Sequence, residues 1–144
     1  SRQLVHFKKG MRGKHSQDKF GAQMLASVQP LTVADDIPKL AAYIASLPVP
    51  KLENQTAGDL KNGSRYYQAK CGACHGGQAQ GNESFKAPRL SGQSHQYLLR
   101  QMQYFTDGVR GTSPEDKPGR QMAMMAKTVN DAELNDILYF ISLQ

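Results

Sequence analysis

The sequence predicts an all-α protein, and three observations predict it. Apolar residues recur at three- and four-residue spacing in segments of helical length, as with Tyr97, Leu98, Met102 and Phe105. Capping residues bracket those segments, with Ser94 before this one and Gly108 after it. No segment alternates apolar and polar residues as a half-buried strand would. The 144 residues allow one ordinary domain or two small ones. Only 39% are hydrophobic, below the roughly 45–50% usual for a globular domain, so something besides side chains is expected to complete the core.

An internal repeat organises the chain. Residues Arg2 to Met24 superimpose without a gap on Arg100 to Met122. Identical positions are Arg2, Gln3, Phe7, Gly10, Arg12, Gly13, Asp18, Lys19, Gly21, Gln23 and Met24. After a one-residue slip, Asp36 to Leu40 continue against Glu133 to Ile137, and Tyr43-Ile44 against Phe140-Ile141. Three parts follow: a first repeat over residues 1–47, a linker over 48–57, and a complete domain over 58–144. Pro48, Pro50 and the polar run Glu53-Asn54-Gln55-Thr56 mark the linker.

Taken in order, the first repeat has a helix expected over Val33–Ser46. In the second domain a helix is expected from Asp59 to Lys70, then Cys71-Gly72-Ala73-Cys74-His75, then the glycine-rich Gly76 to Gly81. A helix capped by Ser94 runs from His95 to Thr106. The methionine run Met122, Met124 and Met125 falls in a loop, and a last helix spans Asp131–Leu143 with Leu134, Ile137, Leu138 and Ile141 as its apolar stripe.

The two cysteines carry the chemistry. Cys-x-x-Cys-His is the attachment signature of a c-type haem: both thiols reach the vinyl groups of one porphyrin, and the histidine ligates its iron. A thioredoxin-type dithiol should follow a strand, whereas Cys71 follows a helical stretch. Zinc needs further ligands at suitable spacing, and no second Cys or His pair exists. A mere pair of buried cysteines is the plain alternative. His75 supplies one axial ligand, and a downstream His or Met must supply the other. His95 reads as a solvent-facing residue of a first helical turn. Within the methionine run only Met122 has a methionine partner in the repeat, Met24, so Met122 is the expected ligand and Met124 and Met125 are expected to pack.

Met24 has no Cys-x-x-Cys-His before it, and Ser1 aligns with Leu99 inside a helix. The expectation is that about 90 further residues with a second haem motif precede Ser1, since half a helix loses its cap and its packed face. A haem-free first half is the alternative.

The sequence resembles the class I c-type cytochromes, and within them the dihaem, two-domain cytochrome c4 group, over essentially its whole length. The resemblance implies the class I helical fold, one complete haem domain preceded by the C-terminal half of another. It implies that Gly63 and Tyr67 pack the first helix of the domain on the last, opposite Ile137 and Phe140. In Ala87-Pro88-Arg89-Leu90 it makes the Pro88 carbonyl the acceptor of a hydrogen bond from His75, with Leu90 beside the haem. Gln93, Tyr97 and Gln101 fall where the group has haem-edge or propionate contacts. One haem c at Cys71 and Cys74 is implied, and a second where an upstream half-domain is present, with Met24 as its axial ligand.

Six-coordinate His/Met iron leaves no open position, so the expectation is an electron carrier and not an enzyme. Haem c maturation places it in a bacterial periplasm. The net charge of +6 is spread along the chain without a basic helix interleaved with aromatics, which argues against nucleic acid. It suits acidic redox partners such as a cytochrome bc complex, a terminal oxidase or reductase, or a flavoprotein, and peripheral association with an anionic membrane. No run of about 18 apolar residues spans a membrane. A second reading is the cytochrome subunit of an enzyme, such as flavocytochrome c sulfide dehydrogenase. A third, a haem enzyme or gas sensor, would lose Met122.

Overall fold

The computed structural model describes residues 1–48 and 57–144, and among them only helices and a single isolated β-bridge occur. The expected linker lies mostly outside the described residues. Two compact units form: Ser1–Val49 with Ser113–Asp116, and Pro50–Thr112 with Lys117–Gln144.

The first unit holds α1 (Arg2–Lys8), α2 (Lys19–Val28) and α3 (Asp36–Ser46). Asp18 starts α2 by accepting from the Gly21 N–H at 2.8 Å. Phe7, Val28 and Ile37 are its buried apolar residues. Ser113–Asp116 joins this unit, where Asp116 Oδ2 lies 3.6 Å from His6 Nδ1, both side chains being buried.

The second unit holds α4 (Leu60–Tyr67), a π-helical turn (Gln68–Gly72), α5 (Ala73–His75), α6 (His95–Thr106), α7 (Lys117–Ala126) and α8 (Asp131–Ser142). Its core gathers Tyr67, Ala79, Leu98, Ile137, Leu138, Phe140 and Ile141. Helix α8 opens with a full capping box, Asn130 accepting from the Glu133 N–H and Glu133 from the Asn130 N–H. Its largest packing partner is α4. A Cβ at Gly63 would stand 2.1 Å from the Asp136 carbonyl oxygen, so only glycine lets these helices approach so closely, at a helix-propensity cost of about 1 kcal/mol. One turn on, the Tyr67 ring sits 5.0 Å from that of Phe140.

The repeat is visible atom by atom. Arg12 stacks 4.4 Å over Phe7 and donates to Gln3 Oε1 at 2.6 Å; Arg110 stacks 4.5 Å over Phe105 and donates to Gln101 Oε1 at 2.5 Å. Gly13 and Gly111 share a left-handed backbone, at φ +83° and +80°. A Cβ on either would strike the carbonyl of Gly21 or of Gly119.

Three expectations are corrected. The methionine run lies on a helix, α7, and not in a loop; Pro118, second in that helix, suits a first turn, where the missing N–H costs nothing. Met124 and Met125 do not pack but are exposed. Gly119, Met122 and Ala126 share the inward face at i, i+3 and i+7, leaving the other two methionines outside it. The helix expected to end at Lys70 instead runs on through the cysteine motif by way of the π turn.

Candidate functional site

The site is built on one continuous helical trace that widens by a π turn where Cys71 sits, a distortion frequent at functional positions. Two side chains hold the chain just past the motif. Tyr67, wholly buried, donates its hydroxyl to the Gly76 carbonyl at 2.7 Å, and Gln68 donates to the Gly77 carbonyl at 2.8 Å. Sequence reasoning gave Tyr67 a packing role and missed both bonds.

Downstream, the chain turns back on the motif. Ala79 is buried with φ 57°, and its carbonyl accepts from the N–H groups of Leu90 and Ser91 at 2.8 and 3.1 Å. Asn82 and Ala87 exchange backbone bonds at 3.0 and 2.9 Å. These contacts deliver the Pro88 carbonyl to 2.9 Å from His75 Nδ1. A carbonyl can only accept, so Nδ1 carries the proton and the Nε2 lone pair is left for a metal. Burial, the larger effect, lowers the His75 pKa below the usual imidazole value, while the bond to Pro88 acts the other way. A neutral ring is the form that ligates.

The thiols differ. Cys71 is half-buried against the core, and burial above all pushes its pKa up to about 11, while Cys74 is exposed. They are not joined to each other. Two separate thiols and a neutral imidazole with a free Nε2 fit a covalently attached c-type haem. Among the described residues no group of three or more His, Cys, Asp or Glu side chains is placed to hold a metal ion, so the four ligands of a zinc site are not gathered here.

The other residues expected at the site divide. Leu90 and Tyr97 pack with Cys71 on the same core. Gln93 donates to the Arg89 carbonyl, and buried Gln101 receives Arg110. Arg110 was missed, although its identity with Arg12 in the repeat, like that of Phe105 with Phe7, marked the stacked pair. Met122 is half-buried on α7, and α7 packs on α6. Met24, its counterpart on α2 in the first unit, is 40% exposed. Ser94 caps α6 as expected, accepting from the Tyr97 N–H at 3.2 Å. His95 is not solvent-facing but half-buried, with its Nδ1 covered and its pKa lowered by burial.

The Cytochrome c family model matches residues 60–143. A thiosulfate dehydrogenase electron acceptor of Thiomonas intermedia is 36% identical over 74 residues, covering 51% of this chain and 31% of its own length. Cytochrome c4 of Azotobacter vinelandii is 35% identical over 91 residues, covering 61% of this chain and 42% of its own. The chain thus spans less than half the length of these curated relatives. A solved cytochrome c4 of Acidithiobacillus ferrooxidans superimposes with a TM-score of 0.74 over 97% of this chain and 79% of that one, at 24% identity, a likeness of fold.

Proposed function

Because this chain belongs to the cytochrome c family, we propose that it transfers single electrons through haem c bound at Cys71 and Cys74, with His75 and Met122 as the axial pair. The observation that carries this reading is the His75 Nδ1–H bond to Pro88, which leaves the Nε2 lone pair unprotonated on the residue that follows the second cysteine. The bound group supplies a one-electron iron couple. His75 holds its ring in one tautomer and orientation, and the accepting carbonyl raises its donor strength. Met122 contributes a soft thioether, which favours the reduced metal over the oxidised one. With His75 and Met122 both holding the iron, no place would remain for a substrate, and carriage rather than catalysis would result.

Met24 occupies the place of Met122 in the repeat, which supports a role as ligand of a second haem where a matching half-domain supplies the cysteine motif. Covalent haem attachment supports a periplasmic setting, and among the described residues no helix is long and apolar enough to cross a membrane. The net charge of +6 favours acidic partners, a cytochrome bc complex or dehydrogenase as donor and a terminal oxidase or reductase as acceptor. Similarity to a thiosulfate dehydrogenase electron acceptor favours a second reading, in which the chain is the cytochrome partner of one dehydrogenase. Stable co-purification with a flavoprotein such as a sulfide dehydrogenase would select it.

The test is spectroscopic. Met122→Ala should abolish the methionine-to-iron charge-transfer band and open the reduced protein to carbon monoxide, while Met124→Ala should leave both unchanged. Loss of the band in Met124→Ala, or carbon monoxide binding to the native protein, would overturn the axial assignment.

A further inference from the structure

We propose that His6 and Asp116 form a proton-operated tie, which holds the turn Ser113–Asp116 on α1 when the imidazole is charged and loosens it when the imidazole is neutral. His6 Nδ1 stands 3.6 Å from Asp116 Oδ2, and the two residues are 8% and 7% exposed. Neither belongs to the residues proposed to hold haem. Imidazole is the side chain that changes charge between about pH 5 and 8, so the contact changes character within that window. With His6 protonated it is an ion pair shielded from water, where charges attract far more strongly than at a surface. With His6 neutral the carboxylate loses the cation's full charge and keeps at most a dipole from that ring. The tie is therefore whole at low pH and is lost as pH rises through the imidazole's titration. The turn it grips is closed by a bond from the Asp116 N–H to the Ser113 carbonyl at 3.1 Å, and Lys117, the next residue, begins α7. A proton on α1 thus sets how firmly the start of the helix that carries Met122 is anchored.

The repeat supplies an internal control. Asp116 matches Asp18, and both close the same turn, since the Asp18 N–H donates to the His15 carbonyl at 2.9 Å. His6 matches Tyr104, and the backbone is alike at the two positions. The His6 carbonyl accepts from the Arg12 N–H at 3.3 Å, and the Tyr104 carbonyl from the Arg110 N–H at 3.0 Å. The position thus accepts a phenol, and the imidazole is particular to the first copy. Other ionisable groups of this unit are engaged elsewhere or lie outside. Arg12 donates to Gln3 and stacks on Phe7, and Asp18 accepts from the Gly21 N–H. Lys8 donates to the Gln29 carbonyl, Arg2 is half-buried at the start of α1, and Lys9 is exposed beyond its end. On α3 Asp36 accepts from Thr32, while Asp35 pairs with Lys39. Lys14, His15, Lys19 and Glu115 are exposed. Of the two histidines in the unit, His6 is the buried one, and it is the one beside a carboxylate.

The experiment is hydrogen exchange on the haem-loaded chain, read by mass spectrometry over residues 111–118 and corrected for the intrinsic pH dependence of amide exchange. Protection of the Asp116 amide should be about tenfold greater at about pH 5.5 than at about pH 8. His6→Tyr installs the residue that the repeat already carries at this place, and Asp116→Asn keeps a side-chain oxygen able to cap a helix. Each variant should shrink the difference to less than about twofold by lowering protection at the acid end. His15→Gln, at the exposed histidine of the same unit, should leave the difference as it is in the native chain. Equal protection at the two pH values in the native chain would overturn the proposal. So would a difference that survives His6→Tyr, or one that His15→Gln abolishes. Exchange of this turn is read without the methionine–iron band, so the axial role of Met122 stands or falls separately.

Discussion

A histidine ring has two nitrogens, and the Pro88 carbonyl decides which of them His75 offers to a metal. The loop that brings Pro88 there depends on Tyr67, whose hydroxyl is bonded to Gly76 and wholly buried. Removing it in Tyr67→Phe should cost about 1 kcal/mol in denaturant unfolding. Burial, ahead of the neighbouring Cys71 sulfur, pushes the Tyr67 pKa up to about 12 from an ordinary 10.0. A raised pKa means that this stability is complete below about pH 10 and is lost as pH rises toward 12. Stability measured across that window should fall more steeply in the native protein than in Tyr67→Phe. At this scale the sequence was informative wherever chemistry demands a residue type. Cys71, Cys74 and His75 announce themselves as a motif, and the partner Met24 makes Met122 the candidate among the methionines. The bonds of Tyr67 and Gln68 to glycine carbonyls left no such mark, because any residue can supply a carbonyl.

Helices α4 and α8 meet across a gap that admits no side chain at position 63. Gly63→Ala sets a helix-propensity gain of about 1 kcal/mol against forced separation from the Asp136 carbonyl. Overpacking of this kind costs about 1–3 kcal/mol or more, so the variant should unfold at lower denaturant. The same pair is fastened by Lys70 and Glu133. The bond from Lys70, then that from the Asn130 N–H, hold the Glu133 pKa below its ordinary 4.5. A depressed pKa contributes stability above that ordinary value, lost as pH falls through the folded one. Glu133→Gln should therefore lower stability at neutral pH and flatten the acid limb of the pH profile. Capped elements were legible: Ser94 and Gly108 bounded α6, and α8 was foreseen to within a residue. Helix α7 was missed because its methionines were read as a cluster before their helical phase was considered, although Asp116 and Pro118 carry a start signal. The π turn was beyond reach, since no residue type in Gln68–Gly72 marks it.

For the molecule as a whole, composition raised a question that the two units answer differently. The second unit closes its core around Tyr67 and Phe140 and attaches a prosthetic group, while the first leaves Tyr43 and Ile44 bare. Replacing Cys71 and Cys74 by serine should leave any haem extractable from the denatured protein and lower the thermal midpoint. Haem retained on the denatured double variant would refute thioether attachment. Diffuse positive charge acts at a distance, within a Debye length of about 10 Å at 0.1 M salt. Reduction by an acidic partner should slow as ionic strength rises, and stopped-flow rates that ignore salt would remove electrostatic steering from the account. The repeat made this duality visible in the sequence, but which face lay open became clear only when the burial of matched residues was compared.

The loop after the cysteine motif has a consequence for speed. The His75 carbonyl accepts from the Gly81 N–H at 2.7 Å, Ala79 anchors Leu90 and Ser91, and Pro88 grips the ring. The carbonyls of His75, Ala79 and Pro88 each already have a partner. Were a haem bound at His75, these held groups would turn less as its charge changed by one unit than free ones would. The nuclear rearrangement that accompanies each transfer would be smaller for it. The bond that selects a tautomer would thus also shorten the wait between one electron and the next.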